Sequence, residues 1–395
     1  MNSAIQKLLD AANKPSRIII GLMSGTSMDG LDVAVTKITG KGLNTSVEVL
    51  NFETVPYQPS YQAELQAIFC KETVSLQRLT LLNAITAQVH AEIVLSCLQK
   101  WNIRAEEIDC IASHGQTVYH APKSLHGLAD YPNATLQIGD GDHLAVSTGI
   151  TTISDFRQKH IAAGGEGAPL ALYGDRILFT SKSENRILLN IGGISNFTYL
   201  PAGEDASPSI LCTDCGPGNT LSDLLTKEYY SQPFDRGGEI ALSGEVNPVL
   251  LNTLIEHPFF SRVLPKTTGQ ELFNMKFLET ALEKAGISDI KPNDLIATVA
   301  ELTASSIAIC IEKATEGKPY SCYVSGGGNH NKYLMESLKR KAYPNTVSNM
   351  EDLGIDADAK ESVLFALLAN ETICGSTVNN GGAPRVMMGK ISLPY

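Results

Sequence analysis

Residues 17–36 have the sequence Arg17-Ile-Ile-Ile-Gly-Leu-Met-Ser-Gly-Thr-Ser-Met-Asp-Gly-Leu-Asp-Val-Ala-Val-Thr36, and this stretch decides the class of fold. After Arg17, the run to Leu22 is apolar, rich in β-branched side chains and interrupted by glycine near its end, which predicts a short buried strand. Residues 31–36 alternate between polar and apolar types, which predicts a second strand. Residues 23–30 are then a polar turn that joins the two strands.

The same strand, glycine turn and strand recur half a chain later. Residues 186–191 are an apolar run, Gly192-Gly193-Ile-Ser195 is the turn, and residues 196–200 are the returning strand. Two such hairpins predict an α/β protein with two lobes of related build and a cleft between them. Further strands are expected at 108–112, 210–213 and 321–324, and helices at 72–101, at 295–315 and from about 332.

Composition and charge exclude several classes of function. The chain has 395 residues, of which 43% are hydrophobic and 18% charged, as in soluble globular proteins. We find no uninterrupted apolar window of about 18 residues and no apolar signal core at the start, so we expect a cytoplasmic protein without a membrane span. The net charge of −11 disfavours binding to nucleic acid or to anionic membranes.

The eight cysteines are scattered along the chain, and the one close pair is Cys212 and Cys215. A zinc site would need a second pair or a histidine at ligand spacing, and none is evident. A redox role for the pair is a weaker alternative. We expect all eight thiols to be reduced.

Three glycine-rich turns follow apolar strands, at residues 24–30, 190–193 and 326–329. Glycine lets backbone N–H groups converge on phosphate oxygens, and hydroxyls add donors. Each turn alone could simply be tight, but three in one chain favour a phosphate site. None matches the P-loop or the dinucleotide-binding pattern.

Acidic side chains accompany these turns. Asp29 and Asp32 flank Gly30, and Asp214 precedes a glycine-rich segment that ends at Asn219. Phosphoryl transfer needs a carboxylate near Mg²⁺ and another that takes a proton from the nucleophile. An edge-strand residue for Asp32, and a turn-initiating cap for Asp214, are the structural alternatives.

A polar group at 113–117 suggests a polyhydroxylated ligand. His114 and Gln116 offer mixed donors and acceptors at a strand end, and Arg157 is a candidate clamp for a carboxylate or phosphate. A lone histidine after a strand is more often structural.

Taken in order, these segments resemble the anhydro-N-acetylmuramic acid kinases over residues 17–395. The similarity begins with the block at 21–32, and the later blocks follow in that family's order. They are Ser113-His-Gly-Gln-Thr117, Leu136-Gln-Ile-Gly139, Asp155-Phe-Arg157, Gly164-Gly-Glu-Gly-Ala-Pro-Leu170, Leu189-Asn-Ile-Gly-Gly-Ile-Ser-Asn196, Asp214-Cys-Gly-Pro-Gly-Asn219, Lys266-Thr-Thr-Gly269 with Phe273-Asn274, and Gly326-Gly-Gly-Asn329.

The resemblance implies a two-lobed fold of the sugar-kinase, heat-shock-ATPase and actin superfamily, with ATP and Mg²⁺ in the cleft. It implies that water attacks C1 of an anhydrosugar while the released O6 takes the γ-phosphoryl group, giving N-acetylmuramate 6-phosphate and ADP. It also implies a homodimer. The expected lobes are residues 1–165, with 380–395 as a candidate segment that returns to this lobe, and residues 166–379.

Roles follow from the resemblance residue by residue. Asp214 is the general base, and His114, Gln116, Arg157, Gly218 and Asn219 bind the sugar. Asp29, Asp32 and Glu361 approach the metal, although a solvated helix face is an equal alternative for Glu361. The nucleotide is held by Ser24, Gly25, Thr26, Ser27, Met28, Asp29, Gly30, Leu31, Asp32, Gly192, Gly193, Gly326, Gly327, Gly328 and Asn329.

Three departures from the family pattern bear on the substrate. His160 stands where the family usually has Asp, Glu166 where it has Gln, and Gln270 where it often has Arg. A kinase of a neutral anhydrosugar such as levoglucosan is therefore the alternative. A nucleotide switch without sugar chemistry is a weaker one, because such a protein has no need for sugar-facing groups beside a proton acceptor.

Overall fold

The chain divides into two compact units, Met1–Leu178 with Asp358–Tyr395, and Phe179–Ala357. We call them unit 1 and unit 2. The computed structural model describes residues 2–168, 170–203, 210–269, 271–356, 358–375 and 384–395. Gln270, Pro169 and residues 380–383, which belong to expectations above, lie outside these ranges.

Both units contain strands and helices. The strands are β1 (Ser16–Ser24), β2 (Gly30–Thr39), β3 (Ser46–Pro56), β4 (Cys110–Ala121), β5 (Ala134–Ile138), β6 (Thr152–Ser154), β7 (Arg186–Ile191), β8 (Ile194–Leu200), β9 (Leu211–Pro217), β10 (Ser321–Ser325), β11 (Thr346–Asn349) and β12 (Lys390–Ser392).

The helices are α1 (Ser3–Asn13), α2 (Pro59–Gln66), α3 (Leu76–Lys100), α4 (Lys123–His126), α5 (Gly141–Thr148), α6 (Phe156–Ala162), α7 (Ala171–Phe179), α8 (Thr220–Tyr230), α9 (Glu239–Leu242), α10 (Pro248–Ile255), α11 (Pro258–Ser261), α12 (Met275–Ala285), α13 (Pro292–Thr315), α14 (Lys332–Ala342) and α15 (Lys360–Cys374).

The two units repeat one strand arrangement. In unit 1 the described strands are ordered β12-β6-β4-β1-β2-β3, with β5 paired to β4; in unit 2 the order is β11-β10-β7-β8-β9. In both units the first three strands of the sheet pair antiparallel to one another. Two further strands then add in parallel beside the first, β4 and β6 in unit 1 and β10 and β11 in unit 2. The α/β class and the two units of related build, both expected from the glycine-turn hairpins, are confirmed.

The sheet of unit 1 is covered on both faces. Successive side chains of a strand point to opposite faces, and Ile19 and Ile20 of β1 enter two different cores. One core is completed by α3 and the other by α15. Gly21 permits the close approach of α15, because a Cβ there would lie 1.9 Å from the carbonyl oxygen of Ser362.

The sheet of unit 2 packs against α13 and α14. The other side of α13 joins α8, α10 and α12 in a second, helical core that contains four phenylalanines, Phe259, Phe260, Phe273 and Phe277. The helix α13 is therefore shared by both cores of the unit.

Two helices, α3 and α13, are long and apolar enough by length and composition to cross a membrane. In α13, 78% of the apolar window is buried inside the protein, and in α3 the share is 44%. Core helices of soluble proteins pass the same test, so the finding is weak support for a span.

Several sequence predictions are refined by the structure. The unit boundary lies after Leu178, beyond the expected residue 165, because Tyr173 and Ile177 of α7 pack into the core of unit 1. The chain rejoins unit 1 at Asp358, because α15 packs on β1. Residues 113–117, expected to follow a strand, lie inside β4.

Candidate active site

The first glycine turn joins β1 to β2 in unit 1. Ser24 is the last residue of β1, and Gly25 to Asp29 form the turn. The Ser27 hydroxyl donates to Oδ1 of Asp29 at 2.6 Å. Among the described residues, no side chain comes within 3.4 Å of a Cβ built on Gly25, so the turn leaves room above its backbone.

Three successive hydrogen bonds fix the orientation of the Ser24 hydroxyl. The Ser24 hydroxyl donates to Oε1 of Gln116 at 2.5 Å, and the Tyr57 hydroxyl donates to Oγ of Ser24 at 2.8 Å. Because that proton of Tyr57 is used, Nε2 of His90, 2.8 Å away, must donate to the Tyr57 oxygen. Burial lowers the pKa of His90 to about 4, which keeps the ring neutral.

These hydrogen bonds limit the donors and acceptors that Ser24 and Gln116 can present to a ligand. The proton of Ser24 is committed to Gln116, so its hydroxyl can only accept. The amide of Gln116 donates to the carbonyl oxygens of Gly25 and Thr117, and both Ser24 and Gln116 are fully buried. These two side chains therefore fix the shape of the turn, and the turn's own backbone is what faces outward.

His114 is held as a neutral ring that positions Arg157. An arginine Nε can only donate, so Nε2 of His114 accepts from Arg157 at 2.9 Å, and Nδ1 donates to the carbonyl oxygen of Gly115. Burial and the Arg157 charge lower the pKa of His114 to about 3. Arg157 also donates from Nη1 to the carbonyl oxygen of Gly167 at 2.7 Å. No described residue accepts a hydrogen bond from the outer edge of its guanidinium.

The two departures near Arg157 serve the local fold. Nδ1 of the buried His160 accepts from the backbone N–H of Gly167 at 2.9 Å, and burial and Arg157 lower the pKa of this ring. His160 is thus a neutral acceptor that shapes the glycine loop. Glu166 accepts from the hydroxyl of Ser124 and is exposed. Neither residue adds a positive charge beside Arg157.

Carboxylates accompany the turn of unit 1. Burial, with the nearby charges of Asp29 and Asp358, raises the pKa of Asp32, although Thr54 donates to it at 2.6 Å. Burial and the charge of Asp32 raise the pKa of Glu361. The charges of Arg157 and Lys360 oppose the shift at Glu361, so this carboxyl group faces cations as well as Asp32. Among the described residues, no group of three or more His, Cys, Asp or Glu side chains is placed to hold a metal ion.

Asp214 is the central acidic residue of unit 2. It lies within β9 rather than at its end, next to a bulge at Cys215, since Ser195 pairs with Gly216 and Asn196 with Asp214. Oδ2 accepts from the backbone N–H of Thr268 at 2.8 Å. Burial raises the pKa of Asp214, and the Thr268 hydrogen bond opposes that shift. No described group donates to Oδ1, so one oxygen is anchored and the other is available as a base.

The second glycine turn packs directly on the segment that follows Asp214. The backbone N–H groups of Gly218 and Asn219 donate to the carbonyl oxygens of Gly193 and Gly192, at 2.9 and 2.8 Å. A Cβ on Gly218 would lie 2.3 Å from the carbonyl oxygen of Gly192, so only glycine permits this contact.

The third glycine turn joins the same group in unit 2. Gly326 has φ +83° and closely approaches Asn190 and Ile191 at the end of β7, and Gly327 lies beside the Asn219 amide. The structure thus brings together Asp214, Gly218 and Asn219, the turn at 192–193, and the turn at 326–329. His114, Gln116, Arg157 and the turn at 24–30 come together in unit 1.

Sequence comparison identifies the family of this chain. Residues 17–391 match the family model described as anhydro-N-acetylmuramic acid kinase. The chain belongs to the anhydro-N-acetylmuramic acid kinase family. A curated relative with that name from Pseudoalteromonas atlantica is 50% identical, with both chains covered in full. Another from Caldanaerobacter subterraneus is 40% identical over 98% of this chain and 100% of the relative.

Two solved structures that resemble this chain are distant in sequence. A ROK hexokinase from Thermus thermophilus is 14% identical, with a TM-score of 0.35 over 89% of this chain and 97% of that chain. The (R)-2-hydroxyglutaryl-CoA dehydratase component A of Acidaminococcus fermentans is 12% identical, with a TM-score of 0.41 over 91% and 99%. The repeated topology of the two units, and not these scores, establishes the fold.

Proposed function

We propose that the chain uses ATP to phosphorylate O6 of 1,6-anhydro-N-acetylmuramic acid while water opens the anhydro ring. Water forms a bond to C1, the C1–O6 bond breaks, and O6 takes the γ-phosphoryl group, with ADP as the leaving group. The products are N-acetylmuramate 6-phosphate and ADP. Family membership supports the reaction, and the carboxylate of Asp214 is the observation in the structure that carries it.

Asp214 is suited to take the proton from the attacking water. Its Oδ2 is anchored by the Thr268 N–H at 2.8 Å, so the side chain has one fixed orientation, and Oδ1 has no described donor. Burial raises its pKa, which brings its basicity nearer to that of an effective general base at neutral pH. As the proton moves to Asp214, the water oxygen forms its bond to C1 and neutralises the positive charge that develops there.

The glycine turns are assigned to the phosphates. In unit 1 the Ser24 hydroxyl is committed to Gln116, so the backbone N–H groups after Ser24 are the donors for phosphate oxygens. In unit 2 the Gly192 N–H donates to the carbonyl oxygen of Ile194 at 3.1 Å, so the same task falls to the N–H groups of Gly193 and of Gly326–Gly328. Asp32 and Glu361, with Asp29, are the groups that would hold Mg²⁺, which supplies charge neutralisation on the transferred phosphoryl group.

Arg157 is assigned to the lactyl carboxylate of the sugar. Its Nε and one hydrogen of Nη1 are used by His114 and Gly167, so the outer edge formed by Nη1 and Nη2 remains for a two-pronged contact. This assignment makes His114 a positioning residue, because both of its ring nitrogens are already used. A cytoplasmic location remains a prediction from the sequence, and a homodimer remains a prediction from the family resemblance.

The experiment that tests the function measures ADP release with ATP, Mg²⁺ and either the anhydromuramic sugar or levoglucosan. We expect rapid turnover with the muramic sugar and a higher KM for levoglucosan, which has no carboxylate for Arg157. Turnover with levoglucosan alone would assign the chain to neutral anhydrosugars. ADP release that neither sugar stimulates would contradict the kinase assignment.

A further inference from the structure

Lys266 of unit 2 is a buried cation that the proposed mechanism does not use. It is 6% exposed, and among the described residues no carboxylate lies within ion-pair distance of its ammonium group. Burying an unpaired charge is costly, so a lysine in this position needs other contacts that stabilise its charge. It stands two residues before Thr268, whose N–H anchors Asp214.

A carbonyl oxygen, two aromatic rings and a thiol surround this ammonium group. Nζ donates to the carbonyl oxygen of Phe259 in α11 at 3.1 Å. It lies 4.2 Å from the ring centroid of Phe259 and 5.8 Å from that of Phe260, within reach of cation–π interactions. The thiol is that of Cys310 on α13, and its pKa is lowered by a hydrogen bond with Cys215 and by the charge of Lys266. These contacts fix the end of the Lys266 side chain to α11.

The backbone of Lys266 is joined to β9 at the proposed base. Its N–H donates to Oγ1 of Thr213 at 3.0 Å, and the Thr213 hydroxyl shares its proton between the carbonyl oxygens of Lys266 and Asp214, at 3.2 and 3.3 Å. The carbonyl oxygen of Lys266 also accepts from the N–H of Asp214 at 3.0 Å. Two residues further on, the N–H of Thr268 donates to Oδ2 of Asp214 at 2.8 Å. The segment 266–268 therefore holds both the backbone and the carboxylate of Asp214.

We propose that Lys266 is a positioning residue for Asp214: its ammonium group fixes the segment 266–268 to α11, and that segment sets the orientation of the carboxylate. This inference rests on the proposed function, in which Asp214 takes the proton from water. The effect passes through the backbone, since the two hydrogen bonds to Asp214 come from the segment and not from the ammonium group. A displacement of about 1 Å from the productive geometry costs about 10²-fold in rate, so a fixed segment matters more to turnover than to substrate binding.

The test compares the wild type with Lys266→Met in steady-state ADP release with the anhydromuramic sugar. Methionine keeps an apolar stem against the phenylalanine rings and removes the charge. The carbonyl oxygen of Phe259 retains the N–H of Arg262 as a donor at 3.3 Å, so the substitution leaves it paired. We expect kcat to fall by about 10- to 100-fold, while KM for the sugar and the dissociation constant for ADP stay within about twofold of the wild type.

The pH profile separates positioning from a loss of folded protein. Burial raises the pKa of Asp214 and the Thr268 N–H opposes that shift, so a loosened segment raises this pKa further. Because the carboxylate must be ionised to act as the base, the acid limb of kcat should lie at higher pH in Lys266→Met than in the wild type. A smaller fraction of folded enzyme would instead lower the rate at every pH and leave the limb in place.

Two variants supply matched comparisons. Lys313→Met removes a cation that donates to the carbonyl oxygen of Phe260, the next residue of α11, at 3.0 Å, and it should leave kcat and the acid limb unchanged. Thr213→Val removes the hydroxyl that holds the backbone of Lys266. It should reproduce the fall in kcat and the shift of the limb with no change of charge, and it carries the test by itself if Lys266→Met does not fold.

A double variant decides whether Lys266 acts through Asp214. In the Asp214→Asn protein, Lys266→Met should change the residual kcat by less than about twofold, because both substitutions act on one group. Losses that multiply, or a folded Lys266→Met enzyme with the kcat and acid limb of the wild type, would overturn the inference and leave the kinase assignment intact. Full activity of Asp214→Asn alone would instead contradict the proposed role of Asp214 and, with it, the inference.

Discussion

Replacing Asp214 with asparagine removes the proposed base and little else. The amide oxygen can still accept the Thr268 N–H that now lies 2.8 Å from Oδ2, so the side chain keeps its orientation. That orientation places the amide NH₂ where Oδ1 now stands, and an NH₂ group cannot take a proton from water. We expect kcat to fall by about 10²- to 10⁴-fold, the usual contribution of general base catalysis, with KM for the sugar and the dissociation constant for ADP nearly unchanged.

The assay is steady-state ADP release at saturating sugar, with ADP binding measured separately. Asp294→Asn is the matched control, because Asp294 also accepts a backbone N–H, that of Glu245, at 2.8 Å. The pH profile adds a second readout. Burial raises the pKa of Asp214, so the wild-type rate should fall as pH drops through a value above that of an ordinary aspartate, and this limb should vanish in the variant. An Asp214→Asn enzyme within about threefold of the wild type would refute the assignment.

Three further predictions concern binding and stability. Arg157→Lys keeps the charge but loses the planar fork, so KM for the muramic sugar should rise about tenfold or more while KM for levoglucosan changes little; equal losses would assign Arg157 to the fold or the phosphates. Gly218→Ala places a Cβ 2.3 Å from the Gly192 carbonyl oxygen and should lower the free energy of unfolding by about 1–3 kcal/mol, visible in urea titration; an unchanged midpoint would show that the turn can shift freely. Burial lowers the pKa values of His90 and His114 to about 4 and 3, below that of an unfolded histidine near 6.5. The unfolded state then binds more protons below about pH 6.5, so the melting temperature should fall from pH 7 to pH 5, and less so in His90→Gln.

The glycine-turn hairpins made the fold predictable from sequence. The run at 17–22 and the run at 186–191 each have the length and branching of a buried strand, and a glycine turn follows each. Both lie at the centre of their sheets, as β1 and β7. The exact bounds of the units were less predictable, because they depend on where α7 and α15 pack, and packing is decided by contacts between residues distant in sequence.

The candidate site was only partly predictable for the same reason. Asp214 and the glycines lie in short sequence motifs that can be recognised without the structure. The hydrogen bonds from His90 through Tyr57 to Ser24 have no local signal in the sequence. They join α3 to the residue that follows β3 and then to the end of β1, and each of the two steps spans 33 residues. The sequence likewise suggested His114 and Gln116 as ligand groups, whereas the structure shows their polar atoms engaged within unit 1.

Oxygen labelling tests the central claim most directly. The reaction is run in H₂¹⁸O with the anhydromuramic sugar, ATP and Mg²⁺, and the product is examined by mass spectrometry. If water attacks C1 with Asp214 as its base while O6 takes the phosphoryl group, each product molecule carries one ¹⁸O, located at C1, and an unlabelled phosphate at O6. Label in the phosphoryl group, or a phosphorylated product without label at C1, would contradict this account.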